Sequence, residues 1–157
     1  RKKGMWFMEN ISNNEIGNLV EEWIRLQVLT DDNTYAELFS DIGIIDYFIL
    51  EFLQEKLGFG YDKTYLKEIS EKIEKPINHV SSLVQHLQDQ GLVEWKHDEN
   101  GTFIKLSKVG SARLEKQKAK INRYFEKVIS AYGVDKFKQL VTLRKEFNAM
   151  LAGSHES

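Results

Sequence analysis

The sequence contains no cysteine. That removes disulfides, thiol redox switching, cysteine nucleophiles and thiolate metal sites together. Proline occurs once, at Pro76, so nearly all of the chain is free to be helical. Neither sign of charge prevails: 22 Lys and Arg stand against 24 Asp and Glu, for a net charge of −2. A nucleic-acid partner would therefore depend on cations gathered on one face. No apolar run approaches the roughly 20 residues that span a bilayer. The densest, residues 42–53, is broken by Gly43, Asp46 and Glu51. Nothing at the start resembles a signal peptide, so a cytoplasmic protein is expected.

Signatures of catalysis are missing too. Carboxylates are spread as solvated helix faces, and Gly58-x-Gly60 lacks the strand-to-helix context of a phosphate-binding turn. The chain is not expected to be an enzyme. His79 and His86 are seven apart, about 10.5 Å of helical rise, too far for one ion to bridge with bonds near 2 Å. His97 lies beside Asp98 and Glu99 on a hairpin, and His155 is in the tail. No metal site and no cofactor is expected.

What the chain does contain is helical periodicity. The 157 residues fit one domain with appended helices. Ile16, Leu19, Val20, Trp23, Ile24 and Gln27 follow helical spacing, with Ser12 or Asn13 as N-cap. Asp31-Asp32-Asn33-Thr34 is a break. Ile44, Ile45, Phe48, Ile49, Phe52 and Leu53 form a wide apolar stripe and predict a buried helix ending near Gly58 and Gly60.

Residues 65–110 carry the most information. Thr64 is placed to cap a helix whose inward face is Leu66, Ile69 and Ile73. Glu74-Lys75 is a turn, and Pro76 suits the first turn of the next helix. There Ile77, Val80, Leu83, Val84 and Leu87 face inward, and Asn78, His79, Ser81, Ser82, Gln85 and His86 face solvent. Gly91 ends the helix. Residues 92–96 and 102–106 read as strands joined through Asp98-Glu99-Asn100-Gly101, where Asn-Gly is a hairpin signal. Helix, turn, helix, strand, turn, strand is the order of a winged helix-turn-helix, which places its second helix in a DNA major groove.

Residues 108–132 return to a helical pattern. Their almost wholly polar middle, 115–120, predicts a stretch that crosses open solvent. Gly133 stops this helix and Asp135 is placed to cap the last, whose stripe is Phe137, Leu140, Val141, Phe147 and Leu151. These terminal stripes lie far in sequence from the winged-helix core. A two-fold dimer with interleaved terminal helices is the economical way to bury them; the other arrangement is a larger monomeric helical domain.

These elements resemble the MarR family of bacterial transcriptional regulators. Tyr65-Leu66-Lys67-Glu68-Ile69-Ser70-Glu71-Lys72-Ile73 looks like the family's first helix-turn-helix segment. Val80-Ser81-Ser82-Leu83-Val84-Gln85-His86-Leu87, followed by Gln90-Gly91-Leu92-Val93, is similar to its recognition helix and entry to the wing. Leu106-Ser107-Lys108-Val109-Gly110 is similar to the Leu-Thr-x-x-Gly that closes the wing. Two features depart from the family pattern. Ser82 and His86 stand where Arg or Lys is common, and the wing, shortened to Asp98-Glu99-Asn100-Gly101-Thr102, lacks the arginine of the family's Asp-x-Arg.

The resemblance covers nearly the whole chain. It implies a mainly α fold with a small β-hairpin wing, one domain over 1–157. Within it, residues 40–107 would form a winged-helix DNA-binding lobe, and 8–30 and 111–151 the dimerisation helices. It implies a homodimeric DNA-binding regulator on a pseudo-palindromic operator, with repression by occluding a promoter as the default outcome and release by a small-molecule effector. Base-edge candidates are Asn78, His79, Ser81, Ser82, Gln85 and His86. Phosphate candidates are Lys75, Lys96 and Lys105. Aromatics are frequent, among them Trp6, Trp23, Tyr35, Phe39, Tyr47, Phe48, Phe52, Tyr61 and Tyr65, but none is assigned to a ligand, since aromatics at helical spacing are commonly core. The alternative is a winged-helix module for protein interaction with little DNA affinity, which the few cations on helix and wing would suit.

Overall fold

The computed structural model describes residues 11–29 and 33–154, without the side chains of 27–29 and 33–35. Trp6, Tyr35, His155, and residues 8–10 and 30 of the expected first helix therefore fall, wholly or as side chains, outside the described residues. The chain divides into two units at Glu37 and Leu38.

The first unit holds α1 (Asn13–Leu29) and most of α2 (Asn33–Leu38). Ser12 caps α1 as a reciprocal box: its hydroxyl accepts from the Glu15 N–H at 3.3 Å, and its own N–H donates to the Glu15 carboxylate at 2.8 Å. The apolar line Ile16, Leu19, Val20 and Ile24 is exposed. α2 begins at Asn33, inside the stretch expected to be a break.

The second unit is the winged-helix lobe with its C-terminal helices. α3 (Ile44–Gly58) turns Ile49, Leu50 and Leu53 into the core. Ile44, Ile45 and Phe48 remain exposed, so only one side of the broad expected stripe is buried. β1 (Thr64–Tyr65) follows, a strand the spacing did not predict. Thr64 is buried there rather than capping a helix. The cap of α4 (Leu66–Ile73) is Tyr65, whose N–H donates to Glu68 at 2.8 Å.

α4 and α5 (Ile77–Asp89) are joined through Glu74, Lys75 and Pro76. Glu74 takes the left-handed conformation at φ 54°, uncommon outside glycine. Two bonds fix the turn: the Ser70 hydroxyl donates to the Lys75 carbonyl at 2.6 Å, and the Lys75 N–H donates to the Ser70 carbonyl at 3.2 Å. Val80, Val84 and Leu87 of α5 are fully buried, whereas Ile77, expected to face inward, is half-exposed at the first turn.

β2 (Val93–Asp98) and β3 (Gly101–Leu106) form the hairpin, with β3 central in an antiparallel sheet of order β1-β3-β2. The turn residues are Glu99 and Asn100, and Gly101 supplies the positive φ of 117°. One core unites Ile42, Ile49, Leu50, Leu53, Ile69, Val80, Val84, Leu87, Leu92, Val93, Ile104 and Leu114.

α6 (Lys108–Tyr132) starts at Ser107, whose hydroxyl accepts from the Gly110 N–H at 2.8 Å. Its polar middle, expected to cross open solvent, does so on one side only, with Glu115, Lys116, Ala119 and Lys120 exposed. Gln117 is buried there, along the line Gly110, Leu114, Gln117 and Ile121. Lys118 pairs with Glu51 at 2.9 Å, and the Gln54 amide donates to Glu115 at 2.6 Å. Polar residues thus pack when their partners lie on the facing helix. α7 (Val134–Gly153) begins after Gly133, with Asp135 in its first turn instead of at the cap, and buries no residue. No helix among the described residues is long and apolar enough to cross a membrane.

Candidate nucleic-acid interface

α5 holds its polar residues on the side opposite Val80, Val84 and Leu87. Asn78, His79, Ser82, Gln85 and His86 are exposed, and Ser81 is half-buried. Spacings of three, four and seven residues bring the five exposed ones to one surface. Three of them are satisfied within one helical turn: Ser82 donates to the Asn78 carbonyl at 3.2 Å, and Gln85 donates to Asp89 at 3.0 Å. The His86 ring nitrogen meets the Gln90 amide at 2.7 Å. Such bonds, one helical turn long and open to water, exchange readily for others. The surface offers donors and acceptors without fixed positive charge, and Lys75 stands exposed just ahead of the helix.

On the wing, pairing of Glu94 with Lys105, and of Lys96 with Phe103, puts Glu94, Lys96 and Lys105 on one side of the hairpin. Both lysines are engaged: Lys96 lies 3.0 Å from Glu94 and Lys105 3.0 Å from Asp62. A further cation, absent from the sequence-based candidates, reaches the wing from the strand side. Lys63 donates to Asp98 at 3.0 Å, and Tyr65 donates to the same carboxylate oxygen at 2.9 Å. The Lys63 amine lies 4.7 Å from the Phe103 ring centre, and Tyr65 meets that ring edge-on. β1 makes this cluster by pairing Tyr65 with Phe103. A two-residue strand leaves no alternation to detect, so the sequence carried no signal for it.

The charges respond to these contacts. The Lys105 amine holds the Asp62 carboxyl below its ordinary range. Burial pushes Asp98 up, but hydrogen bonds from Lys63 and Tyr65 outweigh it and the net shift is downward. Burial likewise raises Glu68 while bonds from Lys56 and the Tyr65 N–H bring it below normal. Arg113 lowers Asp41 by direct hydrogen bonding. A lowered carboxylate stabilises the fold above its unfolded pKa, near 3.9–4.3, and that contribution is lost as pH falls through the folded value. Asp46, raised by burial, contributes in the opposite sense. Glu15 is lowered as well, by hydrogen bonds from Ser12, and five lowered carboxyls against one raised predict a thermal midpoint that is flat from pH 7 to about 5 and falls below about 4. Calorimetry across that range checks it, and Asp98→Asn is expected to reduce the slope.

No family model and no curated protein matches the chain. Solved structures do. A MarR family transcription regulator superposes with a TM-score of 0.67 at 14% identity, over 92% of this chain and 97% of that one. The chain has the MarR fold. S. aureus MepR, solved as a complex with DNA, has the same fold at a TM-score of 0.59 and 14% identity, over 89% of this chain and 96% of its own. A MarR family protein from Bacillus stearothermophilus gives 0.58 at 20% identity, over 89% and 99%. The MarR fold accounts for the order of elements from α1 to α7 and for the hairpin beside α5. At these identities it is the fold that is shared.

Proposed function

We propose that the chain is a DNA-binding transcriptional regulator that acts in the cytoplasm as a homodimer. Residues 40–107 form its DNA-binding lobe, and residues 8–30 and 111–151 its dimerisation helices. The observation that carries this reading is α5: a polar, exposed face backed by three fully buried apolar residues, held by a fixed turn beside a hairpin. A major groove about 12 Å wide admits such a helix, and amide, hydroxyl and imidazole groups can read base edges there. Lys75, Lys96 and Lys105 meet phosphate, the last two by exchanging an exposed carboxylate for it. Two-fold symmetry gives a pseudo-palindromic operator with half-sites about 10 bp apart. Occlusion of a promoter makes it a repressor, and a small molecule that favours another spacing of the two α5 helices releases it. The alternative, a protein-interaction module, is favoured by one observation: both wing lysines already have carboxylate partners.

Fluorescence anisotropy on duplex DNA from upstream of the protein's own gene, with a scrambled duplex beside it and a salt series on both, tests this reading. Sequence-dependent binding that weakens with salt is expected. Gln85→Ala should weaken specific binding by ~1–3 kcal/mol and relax preference at one base position. Lys105→Ala should weaken both duplexes alike and reduce the salt slope by about 1. Equal, weak binding to both duplexes would move the reading to protein interaction, and an unchanged slope for Lys105→Ala would remove the wing from the backbone.

A further inference from the structure

α6 leaves the winged-helix lobe through a joint built of polar bonds. Gln117 is 4% exposed, and its amide meets a single residue's backbone twice. It accepts from the Ile42 N–H at 3.0 Å and donates to the Ile42 carbonyl at 2.8 Å. Ile42 is itself part of the core. One turn earlier Arg113 donates to the two Asp41 oxygens, at 2.5 Å from Nη2 and 3.4 Å from Nε. Asp41 and Ile42, which lead through Gly43 into α3, are therefore gripped from α6 at four points. Beyond Ile121 no residue of α6 is buried. Its remainder, residues 122–132, runs on for roughly 16 Å at 1.5 Å per residue.

An apolar side chain at 117 could fill the same space, but it would leave the Ile42 N–H and carbonyl without partners. The amide also supplies something packing does not. Two opposed hydrogen bonds to the backbone of one residue fix an orientation, whereas apolar surfaces slide. Orientation matters because the lobe is a lever. A tilt of roughly 10° across a lobe about 20 Å deep moves α5 by about 3.5 Å, close to the ~3.4 Å rise of one base pair.

We propose that Gln117 is a positioning residue that sets the orientation of the winged-helix lobe on α6 and thereby fixes the half-site spacing the dimer accepts. The spacing clause rests on the DNA-binding reading; the orientation clause does not.

The test uses the full chain, whose lack of cysteine permits clean labelling. Spin labels at Glu71→Cys on α4 and Glu126→Cys on α6, both exposed, are placed in one protomer of a dimer with an unlabelled partner. Their distance distribution is measured by pulsed electron resonance in the otherwise native protein and with Gln117→Met. Asp41→Asn, at the exposed end of the joint, is the second variant should Gln117→Met fail to fold. In parallel, the same proteins titrate duplexes whose half-sites are separated by one base pair more or fewer than the preferred spacing.

The native protein is expected to give one narrow distance and to discriminate against shifted spacings by about tenfold, as the cost of deforming DNA to fit requires. Gln117→Met should broaden or shift the distance and cut that discrimination to about threefold or less, with Asp41→Asn in between. A folded Gln117→Met protein with an unchanged distance overturns the proposal, even if its melting temperature has dropped. A broadened distance with an unchanged spacing profile overturns it equally. If the native protein binds no duplex, the DNA-binding reading fails, and the distance measurement alone still decides whether Gln117 sets the orientation.

Discussion

Gly110→Ala is expected to cost about 3 kcal/mol, the upper end of what overpacking usually costs. A Cβ at position 110 would lie 2.0 Å from the Leu92 carbonyl oxygen, 2.8 Å from its carbon and 3.1 Å from Leu106 Cδ1. The obstacle is backbone, which cannot rotate aside as a side chain would. That backbone is also committed: the Leu92 carbonyl accepts from the Ser107 N–H at 3.1 Å, and the Leu92 N–H donates to the Leu87 carbonyl at 3.0 Å. The Ser107 hydroxyl meanwhile donates to the Gly91 carbonyl at 2.7 Å. To admit one methyl group, α6 must lift from the end of α5 and the start of the wing together. For a chain of this length about 3 kcal/mol corresponds to roughly 6–12 °C in the thermal midpoint at fixed protein concentration. Gly58→Ala is the control, because nothing lies within 4 Å of its Cβ, and little change is expected. A loss below about 1 kcal/mol for Gly110→Ala would mean that the seat of α6 yields, and that the close approach is not a constraint on the fold.

The same seat shows how much of this fold was legible in the sequence. Glycine at 110, three residues after a serine and at the head of a helical pattern, marked the closure of the wing. The helix-turn-helix was legible because Ile69, Val80, Val84 and Leu87 keep strict helical spacing on either side of Pro76, and α6 runs over the expected 108–132. Periodicity records apolar residues, however, and is blind to polar ones that find partners. Gln117 therefore read as solvated, and its bond to Ile42 spans 75 residues with no local trace. The wing cluster was hidden for the same reason: Lys63 and Asp98 are 35 apart, and each alone is an ordinary surface charge. Ile44, Ile45 and Phe48 failed differently. α3 is apolar on more than one side, so its pattern gave a helix but not which side faces the core. Five of the six base-edge candidates share one exposed surface of α5, with Ser81 half-buried beside them, because a helix face follows from spacing once the buried side is known.

Leu143→Glu is expected to have the largest effect on function while leaving the protomer's core intact. α7 is 20 residues long and buries none of them, yet Leu140, Leu143 and Leu151 are 51%, 62% and 42% exposed. These three fall at intervals of three and eight, on one side of the helix. Exposed leucines grouped on one side of a helix that buries nothing are the mark of a surface that another molecule covers. In the proposed dimer that molecule is a second copy of the chain, and position 143 lies within the covered face. A buried, unpaired carboxylate there costs several kcal/mol. It is repeated in each partner by the two-fold axis. The mass in solution, measured by light scattering, should fall from twice 18.3 kDa to 18.3 kDa. Operator affinity should fall by about 10²–10⁴, the factor by which joining two half-site contacts exceeds one. Non-specific binding by a single lobe should change far less. The thermal stability of the winged-helix core should hold, because Leu143 belongs to none of it. Each alternative has a distinct result. A Leu143→Glu protein that stays dimeric places the interface elsewhere, and one that becomes monomeric yet keeps full operator affinity shows that a single lobe does the reading.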